Sequence, residues 1–258
     1  FSLTVKSLNS IKRIRFLVRH KTCVRKITFL ADLDKEGHKI MSIRERFEQE
    51  LINVQQQFME LCDLSAQALQ NAFEAFTKKD IDLALSIIED DIHINRLEEE
   101  ISDKVILLIA KQQPVATDLR RLMVLVKAAG DVERIGDYAV NIAKETIRIG
   151  QQNYVTSVEP IEQMFSLVSE MLRHISEAFI EENIGKAKEN AEADDQIDEL
   201  YGNTLKNYMQ LTAVAPESIA QLTSLSFICM YLERCGDHAT NLAEHLIYLV
   251  KGQHYELN

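Results

Sequence analysis

From Met41 onward the apolar residues recur at intervals of three and four rather than alternating, the period of helices that bury one face. The stripe Leu122, Leu125, Val126, Ala129, Val132, Gly136, Ala139, Val140, Ala143 and Ile147 is typical. Turn signals divide this periodicity into helices near 43–76, 79–111, 115–149, 158–181, 184–212 and 216–251. Pro114, Pro160 and Pro216 each precede an amphipathic run, and proline is tolerated in a helix's first turn. Gly150 and Gly252 follow the last periodic residues of two runs, where C-terminal caps fall. Short connections between long helices imply antiparallel neighbours, so the expected fold is all-α.

The chain repeats itself. Positions 133–143 and 233–243 share Glu, Arg, Gly, Asp, Ala, Asn and Ala, seven identities in eleven positions. In the preceding helices "DDIHINRL" aligns with "ADDQIDEL", so that Asp91 matches Asp194 and Asn95 matches Asp198. Self-similarity at this spacing predicts two tandem three-helix bundles, 41–151 and 152–258, related by internal pseudo-symmetry.

What repeats is chemical as well as structural. Glu133, Asp137 and Asn141 stand four apart, as do Glu233, Asp237 and Asn241, so each trio lines one helix face. The helix before contributes Asp91 and Asn95 in one copy, Asp194 and Asp198 in the other. These groups could pair with Arg134 and Arg234 or face water. Their repetition beside an apolar seam favours a bound cation, because clustered carboxylates at a packed interface need a counter-charge. Gly136 and Gly236 point the same way: a mid-helix glycine costs about 1 kcal/mol relative to alanine, which makes sense where a neighbour approaches closely. Oxygen donors without thiolate favour Mg, Mn, Ca or iron over structural zinc. His238 and His245 fall beside the second stripe, where the first copy has Tyr138 and Glu145.

Composition narrows the alternatives. The chain of 258 residues is 46% hydrophobic, with eight Gly, three Pro and no Trp, a helix-rich vocabulary with enough apolar mass for a sizeable core. No uninterrupted apolar window of about 18 residues occurs, so no span is expected. Cys23, Cys62, Cys229 and Cys235 form no Cys-x-x-Cys pair, which fits a reducing cytoplasm. Net charge is −11; residues 1–40 hold ten Lys or Arg against three acids, so the remainder carries −18. Such an acidic body argues against nucleic acid as a partner. No Gly-x-x-x-x-Gly-Lys-Ser/Thr loop exists, although Arg120 and Arg121 could bind an anion. The di-iron oxidase and ferritin signature Glu-x-x-His is absent, which disfavours a carboxylate-bridged di-iron enzyme. The basic segment 1–40 is expected to be translated upstream sequence: "KEGHKI" can encode a purine-rich ribosome-binding sequence just ahead of Met41.

The doubled motif "ERIGD" and "ERCGD", with "DDIHINRLEEEI" and "KQQPVATDLRRL" ahead of its first copy, resembles the PhoU family of bacterial phosphate-uptake regulators, over about Met41 to Gly252. The resemblance implies that the motif residues bind multinuclear iron or zinc clusters, or single cations such as Mg or Mn. The implied ligands are Asp91, Glu133, Asp137 and Asn141 in one site, and Asp194, Asp198, Glu233, Asp237 and Asn241 in the other. Asn95 stands where the second copy has an acid, making the first site less anionic. It further implies a cytoplasmic negative regulator, not an enzyme, that couples the ATPase subunit of a phosphate ABC transporter to a sensor histidine kinase. The soluble tail of a sodium–phosphate cotransporter shares the resemblance, but lacks support without membrane spans. The long amphipathic helices suggest a homodimer.

Overall fold

The computed structural model describes residues 43–257; the basic segment 1–40 and its proposed start at Met41 lie outside the described residues. Six long helices follow one another: α1 (Ile43–Lys78), α2 (Ile81–Gln112), α3 (Thr117–Ile149), α4 (Glu159–Glu181), α5 (Ile184–Val214) and α6 (Ile219–Lys251). They start and stop within about three residues of the expected positions. Two differences have local causes. Asp80 caps α2, its side chain accepting the Leu83 N–H at 3.0 Å, which moves the start past residue 79. Pro216 opens a single 3₁₀ turn, Pro216–Ser218, ahead of α6.

From Phe47 onward the chain forms one unit with a continuous apolar core. Fully buried Leu61, Leu69, Phe76, Ile101, Leu122, Ile135, Ile161, Met164, Ile175 and Leu225 come from α1, α2, α3, α4 and α6. The two halves are built alike. Asp80 and Asn183 cap equivalent helices, and α2 packs on α3 as α5 packs on α6. The halves join through equivalent helices run antiparallel. Between α1 and α4, Phe73 stacks on Phe165 with centroids 3.9 Å apart and Phe58 meets Phe179 at 5.2 Å. Between α3 and α6, Tyr138 stacks on Tyr231 at 5.9 Å. This is the arrangement a pseudo-two-fold axis produces, and it places the helices bearing the repeated motif against each other at the centre.

The linker between repeats is tied to both. The Tyr154 hydroxyl donates to the Phe76 carbonyl at the end of α1. Gln221 of α6 accepts the Val155 N–H at 2.7 Å and donates to the Asn153 carbonyl at 3.1 Å. Gly150 and Gly252 end α3 and α6 with positive φ, as C-terminal caps require.

Candidate functional site

In the first repeat the acid stripe lies where α2 meets α3. The two helices lie close at Gly136, where a Cβ would stand 3.0 Å from Ile94 Cδ1. This contact seats Asp91, one turn before Ile94, and Asn95, the residue after it, along the α3 stripe. Asn95 donates to Asp91 Oδ2 at 3.0 Å, while Asp91 Oδ1 and Asn95 Oδ1 are buried with no hydrogen-bond partner among the described residues. Arg134 lies over the stripe, with Nη1 3.1 Å from Asp137 Oδ2 and Nε 3.8 Å from Glu133 Oε2. Burial raises the Glu133 carboxyl above its ordinary pKa, and Asp137, Glu98 and Asp91 push the same way against the opposing pull of Arg134. Asp91 is also raised, by burial and by Asp137, against the Asn95 hydrogen bond. A cavity of about 270 Å³ between α1 and α2 opens onto Asp91.

The second stripe is more acidic and more closely packed. Asp194 is 3% exposed, and a Cβ on Gly236 would lie 2.7 Å from its Oδ1. Glycine is therefore what lets a carboxylate sit against the α6 backbone. Arg234 Nε stands 3.6 Å from Glu233 Oε2. Burial raises Glu233, Asp237 and Asp198 in turn; Asp237 then adds to Glu233, Asp194 adds to Asp237, and Asp194 and Asp237 add to Asp198. Each stripe is thus a set of carboxylates that destabilise one another when ionised.

The donors of both stripes suit a hard cation by chemistry: they are all oxygen, mutually repulsive, and in the first repeat include two buried oxygens without a donor. The side chains do not converge on one point, however. No group of three or more His, Cys, Asp or Glu is drawn into a ready metal shell among the described residues. The two arginines instead supply the ion pairs that the sequence left open as an alternative.

Asn241 is turned elsewhere. Its amide donates to Asp131 of α3 at 3.3 Å, and Asp131 also meets His238 Nδ1 at 2.7 Å and His245 Nε2 at 2.9 Å. The two histidines therefore serve the seam between repeats rather than the second acid stripe. Burial pushes the Asp131 carboxyl up, but hydrogen bonds from His238 and His245 outweigh it and hold the pKa down at about 2. The pseudo-symmetric partner of this cluster has different chemistry. Tyr231 stands for Asp131, Tyr138 for His238 and Glu145 for His245; Glu145 is 2% exposed and pairs with Arg148. Asn141 is half-buried at the place equivalent to Asn241. Sequence reasoning missed Asp131. Its signal was the spacing of seven that links 131, 138 and 145 on α3 and 231, 238 and 245 on α6, the repeat of a helix–helix seam.

The other candidates are accounted for. Arg121 pairs with Glu182 at 3.2 Å. Arg120 Nη1 comes so close to Gly252 that a Cβ there would lie 1.8 Å away, which puts a cation at the negative end of the α6 dipole. Cys62, Cys229 and Cys235 are buried free thiols. Burial pushes Cys62 and Cys229 up to about 12 and Cys235 higher still, which opposes redox sensing through a thiolate. No described helix is long and apolar enough to cross a membrane.

Fold and site together define a class: tandem three-helix repeats that face each other through motif-bearing helices, each with a carboxylate stripe against its neighbour. The PhoU domain profile matches twice, at residues 58–146 and 161–246. The chain is 36% identical over 216 residues to the phosphate-specific transport system accessory protein PhoU homolog of Clostridium acetobutylicum, covering 83% of this chain and 99% of that one. It is 30% identical over 210 residues to the phosphate-specific transport system accessory protein PhoU of Escherichia coli, covering 81% and 87%. The crystal structure of the phosphate transport system regulatory protein PhoU from Streptococcus pneumoniae superposes with a TM-score of 0.77 at 31% identity, over 81% of this chain and 99% of that one. The chain belongs to the PhoU family.

Proposed function

We propose that this chain is an accessory regulator of a phosphate-specific transport system. It restrains uptake and keeps the phosphate-starvation response off by contacting the ATPase subunit of a phosphate ABC transporter and a sensor histidine kinase. The observation that carries the reading is the pair of motif helices packed back to back, each with its acid stripe, in a chain whose relatives bear that accessory role in their names. Such a regulator acts by contact, not catalysis, as a cytoplasmic homodimer that reaches the membrane only through its partners.

Cations, most simply iron or zinc with Mg or Mn as alternatives, would be held by Asp91, Glu133 and Asp137 in one repeat, and by Asp194, Asp198, Glu233 and Asp237 in the other. Asn95 and Asn141 are the flanking amides of the first site, whereas Asn241, expected from the sequence in the second, is committed to Asp131. Bound metal would supply positive charge to carboxylates that now repel one another and so fix the packing of α2 on α3 and α5 on α6. Glu133 and Asp137 must leave Arg134 to take it. In its native host, deletion of the gene should switch on a phosphate-starvation reporter in high phosphate, and the Met41–Asn258 chain should restore repression. A reporter that stays silent in the deletion strain would contradict the regulatory reading.

A further inference from the structure

The outer faces of the two repeats are not equivalent. With the repeats set in register, Asp91 on Asp194 and Asp80 on Asn183, the crease between α1 and α2 corresponds to that between α4 and α5. The first crease is bridged. Gln57 donates to Glu100 at 3.3 Å, Lys104 donates to Gln57 at 2.8 Å, and Lys104 reaches Glu100 at 3.9 Å. In the second crease the equivalent positions are Pro160, Asn203 and Asn207, which cannot form that bridge, and a groove of about 730 Å³ runs between the helices.

Its lining has a definite chemistry. Glu159, Glu162 and Glu199 line it beside half-buried Leu167 and Leu200, with no Lys, Arg or His among the lining residues. Glu159 and Glu162 also complement the α4 dipole in its first turn. Glu199 has no such role, and it stands where the first repeat has Arg96. Repeat two has thus exchanged a cation for an anion and lost the cross-bridge at the same place.

We propose that the α4–α5 crease receives a basic amphipathic helix of a partner protein. An elongated trough between two helices suits a third helix, Leu167 and Leu200 offer contacts for apolar residues spaced at three and four, and the glutamates match Lys or Arg on its flanks. The proposal rests on the contact-regulator reading and names the surface through which one contact is made.

The test uses the full chain and a fluorescent amphipathic helix built from leucine and lysine as the probe, followed by anisotropy. Glu162→Lys with Glu199→Lys should weaken binding about tenfold, whereas Glu99→Lys with Asp103→Lys, the same charge change on the outside of α2, should weaken it no more than about twofold. Equal losses for the two pairs, or no loss with the first, would overturn the proposal. So would equally tight binding of a probe with the same charge but its leucines scrambled off one face. The crease pair, expressed in a strain lacking the native gene, should also lose repression of the phosphate-starvation reporter. Retained repression would reject the crease as the working contact while leaving the regulatory reading intact.

Discussion

Asp131 and the acid stripes lie on the same central helices, and burial acts on both, yet their carboxyls move in opposite directions. Asp131 is held down at about 2 because hydrogen bonds with two histidines of the facing helix outweigh its burial; Asn241 of that helix donates to it as well. Glu133, Glu233 and Asp237 are raised because burial is joined by other carboxylates, which the single arginine in each stripe does not offset. The comparison separates a polar cluster that is complete within the protein from one that lacks positive charge. It also locates the asymmetry of a symmetric molecule: the complete cluster occurs once, where Asp131, His238 and His245 replace the Tyr231, Tyr138 and Glu145 of its counterpart.

The largest effect should come from removing the complete cluster. Asp131→Ala leaves three donors at the seam without their acceptor and is expected to lower the unfolding free energy by about 2 to 3 kcal/mol, measured by urea denaturation at neutral pH. A loss no greater than that of an exposed control would break the contrast. Next is its pH dependence. Because the folded pKa of Asp131 is depressed from 3.8 to about 2, its contribution is present above the unfolded value and is lost as pH falls through the folded one. The stability gap between the protein and Asp131→Asn, about 2 kcal/mol from this linkage, should therefore close between about pH 4 and pH 2.

The stripes should behave in the opposite sense. Asp91, Glu133, Asp198, Glu233 and Asp237 have raised pKa values, so their ionised forms destabilise the fold at neutral pH, and the penalty is relieved as pH falls through those raised values. Asp237→Asn in metal-stripped protein should raise stability by about 0.5 kcal/mol after allowance for solvent screening, a gain that vanishes in acid. With saturating Mn(II) the order should reverse, the unsubstituted protein melting higher. The smallest effect is expected from Arg134→Gln, a loss of no more than about 0.5 kcal/mol, accompanied in titration calorimetry by tighter cation binding as Glu133 and Asp137 are released.

Much of this was legible in the sequence because helical periodicity and repetition are local signals. The helices, the glycine caps at Gly150 and Gly252, and the alignment of Asp91 with Asp194 all follow from spacing. The left-handed ends at Lys79, Gln113 and Glu182 do not, since those residue types give no warning of positive φ. Nor did Asp131 stand out, because its partners lie more than a hundred residues away on a helix whose antiparallel pairing with α3 is a tertiary fact. His238 and His245 were placed beside the second stripe by sequence neighbourhood alone, whereas the helix face that carries them points to α3.

The claim that the repeated stripes are cation receptors is tested most directly by elemental mass spectrometry of anaerobically purified Met41–Asn258 beside its Asp137→Ala, Asp237→Ala variant. The account predicts bound metal in the parent and its loss from a variant that keeps its helical circular dichroism. Absence of metal from both would contradict it, and would leave the doubled motif as a device for helix packing and partner contact held by Arg134 and Arg234.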